Sequence, residues 1–209
     1  MKLYDCKPAP SPRRVRIFLA EKGVTLPVVQ VDLKSGEQLQ PEFARINPWR
    51  TVPVLELDDG TTISEAGACC RYLEEIHPEP ALMGRTAKDK AVIAMWDHRC
   101  ELDGFLAVAE ALRNATPGMK GRALPGPVGY EQIPALAERG KARVQHFFEV
   151  LDERLGDSEY VAGPAYSIAD ITAFVAVDFA SWLKLVPGEG QTSLQRWLGA
   201  MRERPSAGA

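Results

Sequence analysis

Within the first 33 residues a strand, a helix and a second strand follow one another with little chain to spare, and this spacing restricts the fold more than any other feature. "KLYDC" (2–6) alternates apolar and polar residues and predicts a short strand. Val15, Phe18 and Leu19 then recur at helical spacing, and Gly23 closes that helix after Lys22. "PVVQVDL" (27–33) is a β-branched run entered through a proline and predicts the second strand. So short a β-α-β unit implies parallel pairing.

The following residues extend the same small sheet. "PEFARIN" (41–47) predicts a short helix stopped by Asn47-Pro48. "PVLELDDGTTIS" (53–64) is a hairpin, two apolar runs around the tight-turn pair Asp59-Gly60. "EAGACCRYLEEIHP" (65–78) puts Cys69, Tyr72, Leu73 and Ile76 on one helical face and ends at Pro78. The predicted order is β-α-β-α-β-β-α, a mixed sheet with a parallel half and an antiparallel half.

After Pro78 the pattern becomes wholly helical. Helices are expected over about 86–115, up to about 155 and over about 192–203, with a Gly/Pro-dense loop at 116–129. Val144, Phe147, Phe148 and Leu151 form the apolar face of the second of these. "YSIADITAF" (166–174) opens a further helix with a capping box, Ser167 and Asp170, and a staple pair, Tyr166 and Ile171. That helix is apolar nearly all round and is expected to be central and buried. The fold class is therefore α/β plus all-α: one domain over 1–78, a linker at 79–86 and a helical domain over 87–209.

Bulk properties narrow the function. The 209 residues are 45% hydrophobic and 25% charged, ordinary for a globular chain. A net charge of −3 gives no reason to expect nucleic acid or an anionic membrane as partner. No apolar run approaches the roughly 18 residues of a membrane span. The start "MKLYDCKPAP" meets charge and proline too early for a signal peptide, and Cys6, Cys69, Cys70 and Cys100 have no disulfide-like spacing. A cytoplasmic chain with reduced thiols is expected. His77, His98 and His146 lie far apart without acidic or thiol clusters, so no metal site is expected.

Three junctions carry chemistry. Pro53 opens a strand without an N–H for the ladder; Val52-Pro53 is either a rigid turn or, if cis, an edge whose Val52 N–H and C=O can pair with an extended peptide. At Ser64-Glu65-Ala66 a strand runs straight into a helix. Its free N–H groups suit a carboxylate and Glu65 an ammonium, although an acid there also simply favours the helix dipole. The third is "PSPRRVR" (10–16), with Ser11 as expected N-cap and Pro12 at the first helical position. Arg13, Arg14 and Arg16 place cations where the helix dipole already contributes about half a positive charge. They are either a solvated, acid-paired face or part of a positive pocket for an anion such as a thiolate.

Together, "KLYD…RRVRIFLAEKG", "PEFARINPWRTVPVLELDDGTTISEA" and "YVAGPAYSIADITAF" resemble the glutathione transferase superfamily over nearly the whole chain. With "ATPG" (115–118) the sequence is most similar to a bacterial and fungal branch, the yeast Gtt2-like transferases. The resemblance implies a thioredoxin-like first domain, a helical second domain lining an electrophile site, and a homodimer. It implies glutathione as co-substrate, no metal, and conjugation of its thiolate to small hydrophobic electrophiles. Val52, before a cis Pro53, would pair with the cysteinyl backbone, Glu65 and Ala66 would hold the γ-glutamyl head, and Gln38 and Arg50 would lie near the glycyl carboxylate.

Two departures from the family pattern stand out. Ala66 replaces the usual Ser, and no residue matches the usual activating Tyr, Ser or Cys without ambiguity among Tyr4, Cys6 and Ser11. Ser11, with Arg13 beside it, is the expected thiol-end pair, and Phe105, Ala109 and Arg113 are the expected electrophile wall. The alternatives are a non-catalytic glutathione-binding or regulatory protein, or Cys6-dependent thiol exchange.

Overall fold

The computed structural model describes residues 1–209. The chain runs β1 (Lys2–Asp5), α1 (Pro10–Glu21), β2 (Val28–Gln30), α2 (Pro41–Ile46), β3 (Val54–Glu56), β4 (Thr62–Ser64) and α3 (Ala66–Ile76). It continues through α4 (Ala87–Arg99), a π-helical segment (Cys100–Phe105), α5 (Leu106–Ala115), α6 (Pro134–Gly156), α7 (Ile168–Ala180) and α8 (Thr192–Glu203). This is a thioredoxin-like unit followed by a helical one, as the element order implied. No helix is long and apolar enough to cross a membrane.

The sheet order is β2-β1-β3-β4, with β1 parallel to β2 and both β1–β3 and β3–β4 antiparallel. Alternation sorts its side chains onto two faces. Leu3 and Leu55 face the main core with α1 and α3, while Tyr4 and Val54 face a smaller cluster with Phe43 of α2. β2 is three residues long, shorter than the run that predicts it, and as an edge strand it keeps Val28 and Val29 exposed.

The main core is continuous across both units. Val15, Ile17 and Phe18 of α1 and Cys69, Cys70 and Leu73 of α3 join Ile171, Phe174 and Val175 of the buried α7 in one cluster. The connecting segment is tied down by the buried Lys22–Glu74 ion pair. The Lys22 ammonium also donates to the Pro80 carbonyl, and Glu74 accepts from the Met83 N–H at 2.9 Å. Leu82 in turn accepts from the Ile168 N–H at 3.0 Å, which joins this segment to the start of α7.

The long helix expected over 86–115 forms, but with a widened turn at Cys100–Phe105. Asp97 faces Thr172 of α7 at 2.6 Å, and Phe105 faces Phe179 of α7 with ring centroids 5.5 Å apart. Eight residues of regular α-helix make about 2.2 turns, which would carry Phe105 off that face. The π turn takes up the excess, and Arg143 donates to the Leu102 carbonyl at 2.6 Å. Gly104 is required there, because a Cβ would stand 2.5 Å from the Phe147 ring.

A candidate glutathione site at the sheet end

The strand register brings the predicted site segments together. Tyr4 pairs with Val54, and Val54 with Ser64, so the chain leaves β1, enters β3 and leaves β4 at one end of the sheet. Asp5 pairs with Gln30, so β2 ends there too. Four segments therefore emerge side by side: the one leading to Gln38 from β2, the one leading to Ser11 from β1, Val52-Pro53 before β3, and Glu65-Ala66 after β4. Ligands of open α/β sheets bind at the carboxyl ends of parallel strands, which is this end.

The Val52-Pro53 bond is cis. Val52 lies outside the β3 ladder, and neither its N–H nor its C=O takes part in the loop and turn hydrogen bonds. Asn47 shapes this corner: its side-chain amide donates to the Thr51 carbonyl at 2.9 Å, and its Oδ1 accepts from the Trp49 N–H at 3.1 Å. Asn47 is 2% exposed and sequence reasoning gave it only a helix-stopping role; an Asn before Pro in a tight loop is the signal that identifies such a scaffold residue. Arg50, half-buried, sits in the left-handed region at φ +55°.

Glu65 also has a positive φ, +71°, unusual for a side chain this large. It occupies the N-cap of α3 but makes no side-chain cap bond, and its exposed carboxylate is free to meet a ligand. Ala66 behind it is 2% exposed. Gln38 is buried at 5% exposure and its Oε1 has no partner.

Helix α1 differs from expectation at its start. It begins at Pro10, with Ala9 and not Ser11 at the N-cap position, and no side chain caps it. Ser11 lies in the first turn, where its Oγ accepts from Arg14 at 3.2 Å. Pro10 is itself suited to a first helical position, and the start lies two residues earlier than expected.

All three arginines are paired. Arg13 donates to Asp178 at 2.8 Å and to the Ala207 carbonyl at 2.9 Å, and its guanidinium lies over Phe174. Arg14, 5% exposed, reaches Glu101 at 3.0 Å and lies 4.4 Å from the Phe105 centroid. Arg16 pairs with Asp5. Their cationic charge thus also fastens α1 to the helical unit and to β1.

On the helical side Phe105 and Ala109, and then Ala109 and Arg113, are neighbours at i, i+4 spacing. Phe105 is buried, whereas Ala109 and Arg113 are half-buried. Arg113 donates to the Arg122 carbonyl at 2.6 Å, while its Nε has no partner. Burial, with the Arg122 cation second, lowers its pKa. The loop after α5 reaches back to the sheet unit, where a Cβ on Gly126 would stand 3.7 Å from the Trp49 carbonyl.

All four cysteines are buried. Cys6 is 7% exposed and packs among Tyr4, Val31, Phe43 and Val52, so thiol exchange there has no open path. Burial pushes Cys69 up to about 12 and raises Cys70 and Cys100 well above the usual thiol range. No group of three or more His, Cys, Asp or Glu is placed to hold a metal ion.

Fold and site together define a protein in which a thioredoxin-like unit carries an extended backbone edge and two helix starts without side-chain caps at one end of its sheet. Comparison with known proteins places it further. The family model for the glutathione S-transferase N-terminal domain matches residues 9–76, and that for the C-terminal domain matches residues 95–205. Glutathione S-transferase 2 of Saccharomyces cerevisiae is 39% identical over 209 residues, covering 99% of this chain and 87% of that protein. The structure of a glutathione S-transferase domain-containing protein from Marinobacter aquaeolei superposes with a TM-score of 0.91 at 39% identity, covering 99% of this chain and 100% of the other. A class Gtt2 glutathione S-transferase of Vibrio parahaemolyticus superposes at 0.84 with 34% identity, covering 99% and 95%. The chain belongs to the glutathione S-transferase family, and its sequence and fold are similar to the Gtt2 group.

Proposed function

We propose that the protein is a glutathione transferase that lowers the thiol pKa of bound glutathione and adds the thiolate to hydrophobic electrophiles. The observation that carries this reading is the convergence of an unpaired Val52 backbone, two uncapped helix starts and the partnerless Gln38 oxygen at one end of the sheet. Val52 pairs with the cysteinyl backbone, and Pro53 keeps that edge clear. Glu65 receives the γ-glutamyl ammonium, and the Ala66 N–H its carboxylate. Gln38 and Arg50 hold the glycyl end.

The sulfur then lies at the start of α1. There the helix N–H groups and the Ser11 hydroxyl stabilise negative charge, and the thiol proton leaves to solvent. Arg13 acts through the positive field it adds, since its donors are engaged by Asp178 and Ala207. Phe105, Ala109 and Arg113 line the electrophile side. In this reading residues 1–78 form the glutathione-binding unit, 79–86 the linker and 87–209 the unit lining the second substrate. We further propose a cytoplasmic homodimer acting in detoxification.

Titration of the thiolate band of bound glutathione in the ultraviolet tests this. The bound thiol is expected to titrate at least one unit below free glutathione, and Ser11→Ala to shift it back by about one unit, about 1.4 kcal/mol. A bound thiol titrating like the free one would overturn the reading.

A further inference from the structure

Helix α1 runs antiparallel to α7. At the C-terminal end of α1, Glu21 is held by Arg204, whose guanidinium lies 3.7 Å from the Tyr166 centroid just before α7 begins. At its N-terminal end, Arg13 reaches Asp178 near the end of α7. Residues following Asp178 therefore stand level with Ser11 and the start of α1. The widened helix from α4 into α5 runs parallel to α7, as the Asp97–Thr172 and Phe105–Phe179 contacts show. Continuing both helices brings Ala109 alongside the single 3-10 turn Ser181–Leu183.

A continuous series of contacts joins the two sides. Ser11 accepts from Arg14, Arg14 lies over Phe105, and Phe105 packs on Phe179. Phe179 meets Trp182 nearly at right angles, with centroids 5.1 Å apart. Phe105 and Phe179 are buried, at 7% and 6% exposure, whereas Trp182 is 56% exposed. Leu106, on the neighbouring helix, is 46% exposed. The series thus begins at the thiol end and finishes in an open indole supported from behind by two buried rings.

We propose that Trp182 is a specificity-determining residue of the electrophile site, selecting planar aromatic electrophiles over aliphatic ones. This rests on the transferase reading above and extends it to a substrate class. Arenes bearing electron-withdrawing groups are electron-poor, and they pack on an indole in offset or edge-to-face geometry. With the arene against Trp182, the thiolate adds to the ring carbon bearing a halide. The C–S bond forms, the C–halogen bond breaks, and the halide leaves with the bonding pair. An aliphatic electrophile gains only apolar contact from the same wall.

The test uses the full chain as wild type, Trp182→Ala and Trp182→Phe, each checked for folding by circular dichroism. Rates are measured with glutathione and either 1-chloro-2,4-dinitrobenzene or 1-bromohexane. Trp182→Ala is expected to lower kcat/KM for the aryl substrate about fivefold, mainly through KM, and the aryl-to-alkyl ratio by a similar factor. Trp182→Phe restores most of that ratio. Independently of turnover, calorimetry is expected to show the dinitrophenyl thioether of glutathione binding Trp182→Ala about fivefold more weakly than wild type, with glutathione itself bound equally by both. An aryl-to-alkyl ratio unchanged within twofold, or a thioether affinity unchanged in Trp182→Ala, overturns the assignment and leaves the transferase reading standing. A wild type that turns over neither substrate and does not bind glutathione overturns the transferase reading and this assignment with it.

Discussion

Helix α7 starts inside a closed set of hydrogen bonds, whereas helix α1 starts with no side-chain cap. At α7, Ser167 and Asp170 form the capping box. Asp170 also accepts from the Val161 N–H at 2.9 Å and from the Trp197 indole at 3.1 Å. Both Ser167 and Asp170 are fully buried. At α1 and α3 the N-cap positions hold Ala9 and Glu65, and neither side chain bonds to its helix. A helix start satisfied by its own chain contributes to folding; one left unsatisfied keeps its N–H groups for a ligand. α6 and α8 also begin without a side-chain cap, so an open start is not confined to the sheet unit. What sets α1 and α3 apart is that both start at the sheet end where the chain leaves β1 and β4.

The largest expected effect tests the closed start. Asp170→Ala strands the Val161 N–H, the Ser167 donors and the Trp197 indole in a buried site, and urea unfolding should show a loss of about 3–5 kcal/mol. Burial raises the Asp170 carboxyl to about 6, against the hydrogen bonds it accepts. The folded state therefore holds this proton to a higher pH than the unfolded chain. This group's contribution is fully present below about pH 4 and is lost as pH rises through about 6. Asp170→Asn should remove that part of the slope, measured as the urea midpoint across this window.

The next effect concerns the open start of α3. Glu65→Gly relieves the positive φ and should stabilise the fold by about 1 kcal/mol. The same change removes the ammonium partner, and calorimetry should show glutathione affinity falling about tenfold or more. Stability and affinity moving together in one direction would contradict a site held in strained backbone for its ligand.

The smallest effect makes the comparison with one substitution at two places. Ser167→Ala should cost about 1 kcal/mol of stability as a lost cap. Ser11→Ala, where Ser11 accepts only from Arg14, should change the denaturation midpoint by less than about 0.5 kcal/mol. Equal destabilisation at both positions would mean that the two starts do the same work.

Features that depend on near neighbours along the chain were legible in the sequence. Asp59-Gly60 specifies its hairpin because the turn needs only local backbone freedom, and Gly60 indeed has φ +86°. The Ser167–Asp170 box spans three residues and reads directly. The cap expected at Ser11 lies two residues earlier, at Ala9, because Pro10 starts the helix without help from a side chain. The π turn escaped, since periodicity over 86–115 shows a helix and not the slight drift that Cys100–Phe105 absorbs. Trp182 escaped as well, because "FASWL" continues an apolar run whose helix ends at Ala180.

The arginines mark the boundary between the two kinds of knowledge. Sequence alone determined that three cations stand at the start of α1, and that this start follows a strand at the ligand end of a sheet. Their partners were decided only by tertiary structure, because Asp178 is 165 residues from Arg13 and Glu101 is 87 from Arg14. A local pattern fixes turns, caps and faces through forces that act over one or two helical turns. Ion pairs, ring contacts and the exposure of Trp182 depend on which distant helices meet, and shared burial across the whole core settles that.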